Sequence, residues 1–235
     1  MTNSTTKAAS LFYARVAGFS YLLIIITAIL NVTFIDSKII ISGNDAATSS
    51  NILANDLLFR SSIVLVLIIY ASVAVLSHSL YVILKTVNKN IALLAMILRS
   101  IEATLGSVTA LMSFFMVLLL NGENYSTVFE PEQLQALVGL FLNVRTAGLD
   151  IVLIFVGLGG TLFCYLFFKS NLVPRILASW GIFTYLSMLL LAFISILFPN
   201  HPAMIETVLY GLGTIFELIL GFWLLFKGVN VEQYG

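Results

Sequence analysis

An all-α, polytopic membrane protein with six transmembrane helices and an additional amphipathic helix on the outer leaflet is predicted by three observations. Only 9% of the 235 residues are charged, against 60% hydrophobic, whereas a soluble domain draws about 25% of its residues from the charged types to wet its surface. The mean hydropathy is +1.07. Six apolar runs are each long enough to cross about 30 Å of hydrocarbon, which takes about 20 helical residues.

The runs fall at about 14–35, 57–84, 91–120, 147–168, 176–198 and 204–226, in a single domain covering 1–235. The first follows Lys7 and Arg15 as a signal peptide would. Its apolar stretch is longer than a signal core, however, and no A-x-A-like site closes it, which predicts an uncleaved helix. Next, "SGNDAATSSNILAND" (42–56) has the Gly, Asn, Asp and Ser of a helix-breaking loop, with room for a short helical turn. A second polar loop, "NGENYSTVFEPEQ" (121–133), ends in Pro131 and Glu132, a good helix start. From there to Phe168 one helix would be about 57 Å long, too long for a single crossing. A break is therefore expected near Arg145. Before it, over about 132–144, Leu134, Leu137, Val138, Phe141 and Leu142 share an apolar face while Gln133, Gln135 and Asn143 point elsewhere, as in a helix lying on a membrane surface. The turn "KSNLVPR" (169–175) leads into the fifth helix through Pro174.

Charge sets the expected orientation. Lys7, Arg15, Lys85, Lys89, Lys169, Arg175 and Lys227 fall on one side of this path. The other side has Asp36, Asp45, Asp56, Glu123, Glu130, Glu132 and Glu206 with one loop lysine, Lys38. Positive charge is retained in the cytoplasm, so both termini are expected there.

Several functions find no support. No basic tract suggests a nucleic-acid partner. The single cysteine, Cys164, gives no disulfide framework, redox pair or thiolate metal site and is expected to be a small buried side chain. His78 and His201 lie on different helices, too few for a zinc or haem site. No GxSxG, Walker loop or HExxH occurs, and in "SHS" (77–79) adjacent helical residues point in different directions. No catalytic residue, metal or cofactor is expected, and a non-enzymatic role is favoured.

Ionisable residues inside the spans are the informative exceptions, since each costs about 2.5–3.5 kcal/mol at a helix centre unless it has a partner, water or a function. At about 1.5 Å per residue from the inner helix ends, His78 is about 10 Å deep, Arg99 about 12 Å, Glu217 about 15 Å and Glu102 about 16 Å. These four form the expected polar intramembrane network. Arg99 and Glu102, at i,i+3, share a face and can pair; adding Glu217 leaves one negative charge for His78, a proton or a bound cation to offset. A second, outer polar cluster is expected from Asp56, Arg60, Arg145 and Asp150, with Asp56 and Arg60 at i,i+4. Interfacial charges of this kind can snorkel to water. Among small residues, "GLGG" (157–160), Gly106, Gly211, Gly213 and Gly221 are expected chiefly to let helices pack closely. Tyr70, Tyr81, Tyr165, Tyr185 and Tyr210 are too dispersed to indicate a site.

The stretches "ARVAGFSYLLIII", "NILANDLLFR" ending at Arg60, "LRSIEA" with Arg99 and Glu102, "VPRIL" with Pro174 and Arg175, and "ELILGFWLLFKGVNVE" with Glu217, Trp223 and Lys227 together resemble a bacterial membrane family known as domain of unknown function 4386. At the opening of the fourth helix, "NVRTAGLDIVLIFVGLGG" stands where the family often has a histidine or a glycine-aromatic pattern. The resemblance implies a polytopic α-helical protein and implies no activity; the expected location is a bacterial cytoplasmic membrane with both termini on the cytoplasmic side. The expected function is a small transporter or a binding protein for a lipid or small amphiphile, using Arg99, Glu102 and Glu217. The alternative is a structural or signalling subunit whose charges set helix packing or partner docking. Expected partners are membrane lipids and a small-molecule or lipid ligand.

Overall fold

The computed structural model describes residues 2–122 and 128–230; Glu123, counted above among the outer acidic residues, lies outside them. Helix α1 (Thr2–Asn31) continues through a π turn (Val32–Asp36) and a short helical turn (Ser37–Ile39). Then come α2 (Asp45–Ala54), α3 (Asp56–Leu84), α4 (Lys89–Asn121), α5 (Pro131–Ser170), α6 (Arg175–Leu197) and α7 (Ala203–Phe222), which ends in a second π turn (Trp223–Lys227). Among the described residues there is no strand. Six helices are long and apolar enough to cross a membrane, and the chain is a multi-pass membrane protein.

Local chemistry sets the helix starts. The Asn44 side chain accepts from the Ala47 N–H at 2.9 Å to cap α2, and Asn88 does the same for Ile91 at 3.0 Å ahead of α4, each satisfying an orphan donor of the first turn. Pro174 and Pro202 precede α6 and α7, where a missing N–H costs nothing. Large apolar side chains remain on the outside, including Ile176 at 85% and Leu57 at 82% exposure, as expected where lipid is the solvent.

The residues group into two compact units. One comprises Met1–Ile25, Ala71–Ala103 and Asp150–Gly235, and its core includes Tyr21, Leu80, Phe163, Phe167, Tyr185 and Phe216. The other comprises Ile26–Tyr70 and Thr104–Leu149, around Ile39, Ile52, Phe59, Met116, Val117 and Val138.

The predicted break near Arg145 is absent, because α5 runs unbroken for 40 residues, about 60 Å. The apolar face at 134–142 is not spread on a membrane surface. Val138 is fully buried in the second core and Leu134, Leu137, Phe141 and Leu142 pack against it, with the Phe115 and Phe141 rings 5.7 Å apart. Protein covers the face that was expected to seek lipid, so nothing bends the helix. The loop before α3 likewise holds more than a turn: α2 has 10 residues.

Candidate functional site

In the first unit two helices, α4 and α7, bring together three charges that the sequence places at one depth. Arg99 and Glu102 of α4 are 4% and 3% exposed, with Arg99 Nη1 2.8 Å from Glu102 Oε2. Glu217 of α7 is half-buried and interacts electrostatically with both. Its carboxylate is held by Tyr185 of α6, whose hydroxyl donates to Oε1 at 2.8 Å. The Tyr21 hydroxyl of α1 lies 3.3 Å from that of Tyr185.

Glycines make room for these side chains. A Cβ at Gly159 would lie 2.7 Å from Arg99 Cγ, so the bare helix surface is what the arginine stem crosses. At Gly160 it would strike the Tyr185 ring, and at Gly157 the Tyr185 carbonyl at 2.8 Å. The "GLGG" run therefore does two things: Gly157 brings α5 against α6, while Gly159 and Gly160 seat two members of the charged cluster. Gly181 similarly accommodates Phe216 and the Cys164 sulfur.

Thr184 adds an unmet group. Its hydroxyl is buried with no hydrogen-bond partner, and its methyl would sit 3.6 Å from a Cβ placed on Gly213, one helical turn before Glu217. A buried hydroxyl without a partner costs about 1–3 kcal/mol, which an incoming polar group can offset.

His78 is not part of this cluster. It is on the exposed side of α3, edge-on to the Tyr13 ring at 5.9 Å, while Ser72, Val73, Leu76, Ser77 and Leu80 take the buried side. Counting residues gives height along a helix but does not by itself bring groups on different helices together. Tyr21 and Tyr185 are the functional candidates that sequence reasoning missed. The signal was available: Tyr185 is ten residues past Arg175 and Glu217 ten before Lys227, the same height of about 15 Å.

The outer residues do not form one cluster. Asp56 and Arg60 pair at 2.7 Å but stay 36% and 40% exposed, and Asp56 also accepts from Asn121 at 2.9 Å. Arg145 instead pairs with Asp36, Nη2 to Oδ2 at 3.0 Å, with side chains 13% and 19% exposed. Asp36 stands on the π turn of α1 and also accepts from Asn31 at 3.2 Å and Ser62 at 3.4 Å. Asp150 belongs to the other unit, where it interacts electrostatically with Glu206 and His201. There His201 Nε2 lies 2.9 Å from the Ser195 hydroxyl and 3.2 Å from Glu206. Both contacts use one ring nitrogen, so no Ser-His-carboxylate relay is formed. Asp36→Asn is expected to cost about 2 kcal/mol, the scale of hydrogen bonds to a charged group. The half-open pair makes Asp56→Asn cheaper, within about 0.5 kcal/mol. Unfolding of both variants in mild detergent measures the difference.

No curated protein and no solved structure matches the chain. Residues 16–228 match the family described as Domain of unknown function (DUF4386). The match covers most of the chain, and the chain belongs to the DUF4386 family.

Proposed function

We propose that the protein binds the ammonium group of a small amphiphile at Glu217, as a carrier or binding protein in a bacterial cytoplasmic membrane with both termini cytoplasmic. One observation carries this reading: Glu217 is the carboxylate of the interior cluster left over once Arg99 has paired with Glu102. Tyr185 positions it without neutralising it, and half-burial leaves it within reach of a ligand. An ammonium group supplies the missing positive charge and has protons for both the carboxylate and the unpartnered Thr184 oxygen. A purely structural role for Arg99 and Glu102 has its own support, since both side chains are only 5% exposed. The two roles coexist, with the closed pair holding the helices and the surplus carboxylate taking the ligand.

The test uses Trp180, whose ring is 5.9 Å from that of Phe216 beside Glu217. In nanodiscs, Trp223→Phe leaves Trp180 as the sole tryptophan. A brominated alkylammonium is expected to quench it saturably, and Glu217→Gln to weaken that binding by about tenfold or more, as for loss of a charge-assisted hydrogen bond. A brominated alkyl sulfate of equal chain length should show no saturation. Unchanged ammonium affinity in Glu217→Gln would sink the reading.

A further inference from the structure

Two stretches of the sequence take no part in the interior cluster, "NLVPR" and "FWLLFKGVN". The fold brings them to one place. Between α5 and α6 the chain turns at Asn171, whose φ of 54° is left-handed, a conformation asparagine tolerates better than most residues. At the end of α7 the π turn closes when the Gly228 N–H donates to the Trp223 carbonyl at 3.1 Å, and Gly228 itself has φ 71°. A Cβ there would be strained by the backbone and would press on Leu11 at 2.9 Å, so glycine is what lets the chain fold back. The returning strand of backbone is then fastened, Asn230 N–H to the Leu172 carbonyl at 2.9 Å. Between the two turns lies a cleft of about 360 Å³, lined by Asn171, Pro174, Trp223, Lys227, Gly228 and Asn230.

Its chemistry is one-sided. The Lys227 ammonium stands 4.8 Å from the centre of the Trp223 ring. Lys169 and Arg175 flank the same turn and are exposed, and residues 166–177 and 222–230 contain no Asp or Glu. Among the described residues of these two stretches every charged side chain is basic, which favours an anion over an ammonium. The surroundings identify its source. Ile176 and Phe226, next to the cleft in sequence, are 85% and 73% exposed, apolar surface suited to acyl chains. A tryptophan beside a lysine at a helix end is also the pairing that anchors a chain at headgroup level.

We propose that this cleft binds the phosphate-bearing headgroup of an anionic phospholipid. Lys227 pairs with the phosphate, the amides of Asn171 and Asn230 line its polar wall, and the acyl chains lie along Ile176 and Phe226. This site is independent of Glu217 and of any ligand there.

Trp223 reports on it. With Trp180→Phe in place, phosphatidylcholine nanodiscs are prepared with a small fraction of either brominated phosphatidylglycerol or brominated phosphatidylcholine. The anionic lipid is expected to quench Trp223 about fivefold more effectively at equal mole fraction, the factor for one basic residue at a lipid surface. Lys227→Gln should abolish most of that preference. Lys85→Gln should leave it, because that exposed ammonium rests 5.9 Å from the Tyr81 ring and lines no part of the cleft. Equal losses in the two variants would mean only diffuse attraction between a basic surface and an acidic bilayer, and would overturn the site. Full displacement by millimolar glycerol phosphate would identify a soluble phosphate as the occupant and overturn the lipid assignment, as would equal quenching by the two lipids.

Discussion

Replacing Glu102 by glutamine is expected to cost about 3–5 kcal/mol of stability, the penalty for leaving one member of a buried ion pair without the other. The exchange is nearly isosteric, so little packing is lost. What changes is that Arg99, with 5% of its side chain exposed, keeps a full charge without its closest counter-charge. The arginine cannot shed its proton to escape, nor can its stem swing away easily, because it lies across Gly159 with Ala95 beneath. Glu217→Gln should be tolerated, since Arg99 retains Glu102 and the Tyr185 hydroxyl can still donate to an amide oxygen. Joint replacement of Arg99 by methionine and Glu102 by leucine should recover most of the loss, because a buried pair and a well-packed apolar pair are often equivalent. Reversible unfolding in mixed micelles measures all three. Equal losses in the two glutamine variants would show that the carboxylates share one role.

Gly18→Ala is expected to be comparably severe, about 3 kcal/mol or more, at the upper end of the cost of overpacking. A Cβ at this point of α1 would strike the Leu225 amide nitrogen and lie 2.6 Å from the Gly221 carbonyl and 2.9 Å from the Leu225 Cα. These are backbone atoms, so no side chain can turn aside and the two segments must separate. Separation would loosen the contacts around Tyr21, Leu22 and Leu224, all buried. Gly211→Ala is the matched control. It meets nothing within 4 Å and should be neutral or gain up to about 1 kcal/mol from the better helix former. Thermal unfolding of the two variants side by side provides the check, and similar midpoints would show that α1 and the end of α7 are not held at Gly18.

The contrast between these glycines shows where sequence reading stops. The six spans follow from the lengths of the apolar runs, because lipid imposes length and apolarity on any chain that crosses it. The Arg99–Glu102 pair follows from helical spacing. Partners set by tertiary packing do not. Gly18 and Gly211 look alike in sequence, but only the first has a neighbouring backbone against it. Asp36, counted at first as one more outer acid, acquires Arg145 across 109 residues, a pairing no local pattern encodes. The helix break near Arg145 fails for a related reason: an amphipathic stripe states that one face seeks cover without stating whether lipid or protein supplies it.

The two tyrosines above Glu217 give the interior a polarity. Each hydroxyl has one proton to give. Tyr185 commits its own to Glu217, so at 3.3 Å it can only receive from Tyr21. The hydrogens are thereby aligned head to tail, from α1 through α6 to the carboxylate on α7, and aligned bonds polarise and strengthen one another. Glu217 interacts electrostatically with Tyr21, and the aligned hydroxyls are expected to pass polarisation along the same route, from the last helix to the first.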